Sequence, residues 1–147
     1  MRNPLEIKDL SIGDLARRTE TKVQTIRYYE EIGLLPAPAR TEGKQRVYGL
    51  STLRRLAFIR HARDLGFPVE AIRDLLRLSD HPEQPCGDAD AIARRHLAEV
   101  EDRIKRLRTL QKELKRMIDQ HRCDGGSIAD CRVIEVLSDH ALCGHGH

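Results

Sequence analysis

The sequence predicts a mainly α-helical protein in which one long helix occupies the middle of the chain. Apolar residues recur there at alternating steps of four and three, which is the pattern of a coiled-coil helix. The 147 residues include only two Phe, three Tyr and no Trp, while 33% of the residues are charged. This composition favours small helical cores and an extended, solvated helix over one large globule.

The segment from Ser11 to Gly33 predicts two short helices. Ser11 can cap the first helix, with Asp14 in the capping-box position, and Thr21 can cap the second, with Gln24 in the matching position. Gly33 stands where a C-terminal cap belongs. The pair has a helix-turn-helix pattern, whose second helix can enter the major groove of DNA.

The polar residues of the second helix are candidate DNA contacts. Apolar residues supply the packing faces of both helices, so the polar ones point outward. Donors of Arg and Gln can reach base edges, and Lys, Thr and Tyr groups can reach phosphates. The outward set comprises Lys22, Gln24, Thr25, Arg27 and either Tyr28 or Tyr29.

A basic, glycine-containing stretch follows and predicts a small hairpin. Gly43 and Lys44 suit its tip, with Arg40 on one arm and Arg46 and Tyr48 on the other. We interpret the hairpin as a wing. Its Arg40, Arg46 and Tyr48 would contact the DNA backbone beside the groove, which sets register without reading sequence.

Two further helices complete a first domain at residues 1–82. Ser51 can cap the third helix, which Gly66 ends, and Pro68 can open the fourth because a missing N–H costs nothing in a first turn. Residues 1–80 carry 15 Lys and Arg against 11 Asp and Glu, within a net charge of +3. This surplus fits a nucleic-acid contact. Four arginines of the third helix have two alternative interpretations, as a second phosphate contact or as an ordinary solvated helix face. They are Arg54, Arg55, Arg60 and Arg63.

Residues 83–121 are assigned to a dimerisation helix. A helix this long spans roughly 50 Å, so Cys86 at its start cannot meet Cys123 past its end within one straight chain. If two copies pair antiparallel, the start of one helix lies beside the end of the other, and the thiol-rich ends meet twice per dimer. The ladder comprises Ala93, Leu97, Val100, Ile104, Leu107, Leu114 and Ile118, with a polar rung at Gln111.

Residues 122–147 are assigned to a metal-binding loop, a short helix and a His/Cys tail. Cys123 and Cys131 bracket seven residues, a loop that can fold two thiolates around one ion. Cys86 would arrive from the partner subunit, and its place before a helix N-terminus favours the thiolate. Two thiolates are enough to coordinate Cu(I), whereas Zn(II), Cd(II) and Pb(II) use three or four ligands.

The segments IRYYEEIGLL, QRVYG and HARDLGFPVEAIRDLL resemble the DNA-binding half of the MerR family of transcriptional regulators. The long helix and the CDGGSIADC loop resemble its metal-sensing branch, so the resemblance covers nearly the whole chain. It implies that Arg27 and Tyr29 are recognition-helix residues and that Arg46 and Tyr48 are wing residues. Gln45 departs from the aromatic residue that many relatives have there.

The resemblance also implies a mechanism. Members of this branch are homodimers with winged-helix domains, an antiparallel dimerisation helix and a metal loop at each end. They bind double-stranded promoter DNA with an overly long spacer, and metal binding makes them distort it so that RNA polymerase can engage. Such a protein activates metal-resistance or efflux genes.

The metal implied by the resemblance is a divalent soft ion. Copper sensors of the family share the ADC-x-x-I-E segment of this loop but carry Ser where this chain has Cys86, and divalent-ion sensors carry Cys there. The usual first loop cysteine falls at His121, two residues before Cys123. We therefore expect Cys86, Cys123 and Cys131 as ligands of Zn(II), Cd(II) or Pb(II), with His121 as a candidate fourth ligand that suits zinc. A Cu(I)-responsive activator is the alternative.

The end of the chain could build a second metal site together with His96, which lies on the long helix near Cys86; a disordered tail or a loose metal buffer is the alternative. Its residues are His96, His140, Cys143, His145 and His147.

Other functional classes fit the sequence less well. No Gly-rich phosphate loop and no nucleophile–base pair is present, so an enzyme is not expected. An iron–sulfur redox sensor needs four closely spaced cysteines. No apolar run reaches the length of a membrane span and the N-terminus has no signal-peptide core, so we expect a cytoplasmic protein without a membrane partner. A plain metal buffer remains a rival, but it would not need a helix-turn-helix or a wing.

The prediction as a whole is a mainly α protein. A winged helix-turn-helix DNA-binding domain is followed by a long antiparallel coiled-coil dimerisation helix and a C-terminal metal-binding loop.

Overall fold

The computed structural model describes residues 10–120 and 125–139, and its contacts divide the chain into two compact units at Ile92 and Ala93. The mainly helical fold with a small two-stranded wing and a long helix is confirmed. The helices are α1 (Ile12–Thr19), α2 (Val23–Glu31), α3 (Leu50–Asp64), α4 (Val69–Ser79), α5 (Gly87–Asp119) and α6 (Arg132–Ser138). The strands are β1 (Ala39–Arg40) and β2 (Arg46–Val47), and a 3-10 turn covers Ile128–Asp130.

Helix α1 begins with the predicted capping box. The amide of Asp14 donates to Ser11 Oγ, and the amide of Ser11 donates to Asp14 Oδ2, each at 3.1 Å. The bond from the Ser11 amide is the main reason that the pKa of Asp14 lies below its usual value. The helix ends at Glu20, which adopts a left-handed conformation with φ of 52°.

The start of α2 differs from the prediction. Lys22 is the N-cap residue and makes no side-chain capping bond, so the capping role predicted for Thr21 is wrong. The Thr21 hydroxyl instead donates back to the carbonyl of Thr19 at 3.1 Å. The predicted C-terminal stop is confirmed, because Gly33 follows the cap residue Ile32 with φ of 77°.

The predicted hairpin is present. Strands β1 and β2 pair antiparallel, with Arg40 opposite Arg46, and Lys44 in the connection has a positive φ of 62°. Beyond β2, the backbone of Tyr48 exchanges two hydrogen bonds with Leu10, at 2.8 and 2.9 Å. The wing is thereby joined to the residue that precedes α1.

Helices α3 and α4 begin near the predicted positions but with different caps. Gly49 precedes α3, and the amide of Leu53 donates to its carbonyl at 3.2 Å, so Ser51 lies inside the first turn. Pro68 is the cap residue of α4 rather than its first helical residue. Neither cap residue makes a side-chain capping bond.

The first unit is built on one apolar cluster. Helix α1 packs against α2 and α3, and α3 packs against α4. The fully buried side chains are Leu15, Ile26, Leu34, Leu56, Ile59 and Ile72. This cluster fixes the orientation of α2, and therefore decides which of its residues face outward.

Helix α5 leaves its apolar ladder uncovered. It has 33 residues, hence a length of roughly 50 Å. The large ladder residues Leu97, Ile104, Leu107, Leu114 and Ile118 are exposed by 42% to 61%. Within the described part of the second unit, the buried hydrophobic residues are Met117 and Val136.

Helix α6 has Cys131 as its cap residue, without a side-chain capping bond. The hydroxyl of Ser127 donates to Asp130 Oδ2 at 3.2 Å, before the helix begins. None of the helices in the described ranges is long and apolar enough to cross a membrane.

Candidate nucleic-acid interface and metal ligands

Helix α2 presents a polar face to solvent. Lys22, Gln24 and Arg27 are exposed and Thr25 is half-buried. The opposite face is anchored in the core through Ile26, which is completely buried. The exposed side chains carry the donors that contacts to phosphates and base edges require.

The two adjacent tyrosines of α2 have opposite environments. Tyr28 is 50% exposed, whereas Tyr29 is 8% exposed and belongs to the core. Of the two alternatives, Tyr28 is therefore the outward residue, and little of Tyr29 is left for the DNA contact that the family resemblance implies for it. The cause is helical spacing, because Tyr29 lies three residues after Ile26 and shares its buried face.

Tyr48 is also a core residue, with 2% of its surface exposed, so its predicted exposure on the wing is wrong. Its hydroxyl donates to Glu30 Oε1 at 2.5 Å. Burial, reinforced by the bond to Glu30, raises the pKa of Tyr48 to about 12. Sequence reasoning missed Glu30, although an acidic residue on α2 and a Tyr on the wing were both visible as candidate partners.

The hairpin is the cationic element beside α2. Arg46 donates from Nη1 to Glu30 Oε2 at 3.3 Å, and 38% of its side chain remains exposed. Arg40 is exposed and donates to the carbonyl of Lys44 across the turn at 3.2 Å. Arg40, Lys44 and Arg46 can therefore present positive charge to a phosphate backbone.

Cys86 immediately precedes α5. Its carbonyl accepts the amide of Asp90 at 2.9 Å, in the first turn of the helix, and its thiol is free and exposed. The thiolate is the form of cysteine that binds metals. A cavity of about 290 Å³ opens beside this residue. Its walls are mostly apolar and include Phe58, Leu75, Leu78, Pro82 and Pro85.

Cys131 lies in the second unit, between the 3-10 turn and α6. Its thiol is free and half-buried, and its amide donates to the carbonyl of Ile128 at 3.0 Å. No three His, Cys, Asp or Glu side chains group into a metal cluster within residues 10–120 and 125–139. Because His121 and Cys123 lie outside these ranges, the predicted ligand set stays a prediction.

The candidate second site is described at one position only. His96 lies on α5 with 11% of its side chain exposed, and its Nδ1 is 4.0 Å from Glu99 Oε2. The other candidates fall outside the described residues, namely His140, Cys143, His145 and His147.

The donor chemistry of the described residues fits a soft metal ion. Thiolates prefer soft ions such as Cu(I), Zn(II) and the heavier divalent ions over hard ions such as Mg(II). Both described cysteines are free thiols. An accessible thiol at a helix start is able to serve as one ligand of a site completed by other residues.

Two family models match this chain. The model described as "MerR HTH family regulatory protein" matches residues 10–79, and the model described as "MerR, DNA binding" matches residues 53–117. The two matches together cover residues 10–117, from the start of the described fold to one residue before the last ladder residue, Ile118.

Similar proteins are named as transcriptional regulators, and one of them as dependent on heavy metals. The HTH-type transcriptional regulator ZntR of Escherichia coli (strain K12) is 42% identical over 131 residues, which cover 88% of this chain and 93% of that protein. Heavy metal-dependent transcription regulator 2 of Rhizobium meliloti (strain 1021) is 36% identical over 130 residues, with 88% and 87% covered.

A solved structure shows the same architecture. The transcription regulator PbrR691 from Ralstonia metallidurans CH34, in complex with lead(II), is 40% identical to this chain. The two superpose with a TM-score of 0.74, covering 87% of this chain and 98% of that one.

Proposed function

This chain belongs to the MerR family of helix-turn-helix regulators, and on that premise we propose that it is a metal-responsive activator of transcription. In this proposal it binds promoter DNA as a homodimer, responds to Zn(II), Cd(II) or Pb(II), and switches on metal-resistance or efflux genes. A cytoplasmic location follows from the proposal, because the promoter and RNA polymerase must be accessible.

The main support for the proposal is the position of Cys86 at the start of α5. A free, exposed thiol stands at the start of a helix whose apolar ladder is uncovered over most of its length. An apolar face of this extent is typical of an interface. If a second copy covers it in antiparallel orientation, the loop of the partner subunit arrives where Cys86 needs further ligands.

The DNA-binding part of the mechanism follows from α2 and the wing. Arg27 and Gln24 on the exposed face of α2 would reach base edges in the major groove, while Lys22 and Thr25 would contact phosphates. Arg40 and Arg46 on the wing would contact the backbone beside the groove.

The response to metal is assigned to the cysteines. Cys86 of one protomer would bind together with Cys123 and Cys131 of the partner subunit, with His121 as the candidate fourth ligand. The bound ion supplies a cross-link between subunits that neither subunit can make alone. When these ligands bind one ion, the loop would be drawn towards the partner's first domain. The two winged domains would then move relative to one another and distort the promoter so that RNA polymerase can engage.

Two alternatives remain open to test. The ADC-x-x-I-E segment, in which Cys131 is the thiol, favours a Cu(I)-responsive activator, whereas the exposed thiol of Cys86 favours an ion with more ligands. A plain metal buffer would use the same thiols, but the outward polar face of α2 and the cationic wing would then have no purpose.

The deciding experiment measures transcription from a promoter selected by the protein itself, titrated in parallel with zinc, cadmium, lead and copper. We expect Arg27→Ala to abolish promoter binding while metal binding stays intact. We expect Cys86→Ser to keep promoter binding while the response to zinc, cadmium and lead is lost.

Each outcome bears on a separate part of the proposal. An unchanged metal response in Cys86→Ser would falsify the ligand site shared between subunits. A response to copper alone would establish the Cu(I) alternative, and metal binding without any promoter binding by the wild-type protein would establish the buffer.

A further inference from the structure

Glu30 is an acidic residue at the edge of the proposed DNA-binding surface. A carboxylate near DNA repels the phosphate backbone, so an acidic residue there needs a compensating purpose. The side chain of Glu30 is only 11% exposed. Both of its oxygens are engaged, Oε1 by the hydroxyl of Tyr48 at 2.5 Å and Oε2 by Nη1 of Arg46 at 3.3 Å.

These two bonds join α2 to the wing. Glu30 lies in the last turn of α2, three residues after Arg27 and therefore on a neighbouring part of the helix surface. Arg46 belongs to β2, and Tyr48 follows that strand. One carboxylate thus links the helix proposed to read bases with the hairpin proposed to contact phosphates.

The guanidinium of Arg46 is suited to a shared role. It carries five N–H donors in a fixed planar fork, and the bond to Glu30 uses Nη1. Donors therefore remain for a DNA phosphate while the group is held in one orientation. Holding a long side chain before binding reduces the entropy that binding must overcome.

We propose that Glu30 is a positioning residue for operator binding, which orients Arg46 towards the phosphate backbone and holds the wing in register with α2. The inference rests on the proposed DNA-binding function. It predicts that removing this negative charge weakens operator binding, which is the opposite of what simple charge repulsion from DNA predicts.

The first test compares two neighbouring substitutions in the full-length protein. Glu30→Gln keeps the size of the side chain and an oxygen that accepts from Tyr48, but it loses the charge that holds Arg46. Glu31→Gln removes the same charge from the adjacent, exposed residue. We expect Glu30→Gln to weaken operator affinity about tenfold, equivalent to about 1.4 kcal/mol. We expect Glu31→Gln to leave operator affinity unchanged or slightly higher. Glu30→Gln should weaken binding to unrelated duplex DNA as well, because the phosphate contact of Arg46 does not depend on sequence.

The second test asks whether Glu30 acts through Arg46. In an Arg46→Ala background, Glu30→Gln should have no additional effect on operator affinity, because the oriented group is already gone. Arg46→Lys leaves the buried carboxylate untouched and keeps the positive charge, but it lacks the planar fork. It should lose as much operator affinity as Arg46→Ala, and this measurement remains decisive if Glu30→Gln fails to fold.

The outcomes separate this inference from the proposed function. Equal affinities for Glu30→Gln and Glu31→Gln, additive losses in the double variant, or full operator binding by Arg46→Lys would each overturn the positioning role while the wild type still binds its operator. Failure of the wild-type protein to bind any promoter would overturn the proposed function and this inference together.

Discussion

Arg73 of α4 donates from Nη2 to the carbonyl oxygen of Ile32, the residue at which α2 ends, at 2.7 Å. Arg55 makes a similar bond from Nε to the carbonyl of Leu34 at 2.8 Å. Arg60 donates to the carbonyl of Thr19, at the end of α1, at 3.0 Å. Cationic donors at a helix C-terminus satisfy carbonyls that have no partner within the helix and also favour its dipole. Helices α3 and α4 therefore hold the ends of the helix-turn-helix in place.

Arg73→Ala should lower the free energy of unfolding. Charge-assisted hydrogen bonds stabilise more than neutral ones, and the side chain of Arg73 is 28% exposed, so solvent screening reduces the effect to about 1–2 kcal/mol. Urea denaturation measures it. Arg77→Ala is the matched control, because that arginine is 69% exposed and pairs with Asp74 on its own helix. Equal losses in the two variants would show that the bond to Ile32 contributes little.

Tyr48 should make stability sensitive to alkaline pH. Its pKa is about 12 in the folded protein against 10.0 as the reference value, so the folded state retains a proton that the unfolded state releases. The contribution is fully present below pH 10 and is lost as the pH rises towards 12. Its size is on the order of 2–3 kcal/mol.

Denaturation curves recorded across this pH range test the prediction. Tyr48→Phe should be less stable at neutral pH and should show a flatter dependence on pH. Tyr28→Phe serves as the control, since Tyr28 is half-exposed and should leave the pH dependence of the wild type unchanged. A wild-type curve that stays level between pH 10 and 12 would contradict the role given to Tyr48.

Local sequence signals predicted the parts of the fold that local interactions determine. The capping box of Ser11 and Asp14, the stop at Gly33 and the turn at Lys44 all depend on residues within a few positions of each other. The long helix could be predicted equally well, because its apolar residues recur with a regular period and no Gly or Pro interrupts it. The cap predicted at Thr21 failed because Lys22 takes the cap position of α2, and the Thr21 hydroxyl donates to the carbonyl of Thr19 instead of accepting a helix amide.

Tertiary contacts decided what the sequence could not. Tyr28 and Tyr29 are adjacent residues of the same type, and only the packing of α2 against the core determines which of them is buried. Tyr48 is buried because it pairs with Leu10 and reaches Glu30, which lies 18 positions earlier in the chain. Arg55 and Arg60 contact backbone carbonyls instead of solvent for the same reason. The metal ligands are assigned by the prediction to two subunits, and His121 and Cys123 lie outside the described residues, so their assembly stays a prediction.

Leu107→Glu should prevent dimerisation. Leu107 is 59% exposed at the centre of the ladder, and covering such a side chain contributes about 1.5–3 kcal/mol, whereas burying a carboxylate there is unfavourable. Sedimentation equilibrium should show a monomer. Thr109→Glu is the control, because two residues along a helix correspond to a rotation of about 200°, which places the added charge away from the ladder. A dimer that persists in Leu107→Glu would rule out the ladder as the interface.

Operator DNA should change the metal affinity of the dimer. If metal binding favours one arrangement of the winged domains on the promoter, then promoter DNA must favour or oppose metal binding by the same factor, because the two equilibria are linked. Coupling of this kind typically amounts to about 5- to 150-fold in affinity. Competition with a chelator of known affinity, with and without operator DNA, measures this coupling for the wild-type protein.

Cys86→Ser should show residual metal binding by the loop cysteines but no dependence on DNA, since its site no longer joins two subunits. Equal metal affinities of the wild-type protein in the presence and absence of operator DNA would mean that both arrangements bind the ion equally, and an ion bound equally by two states cannot shift the balance between them.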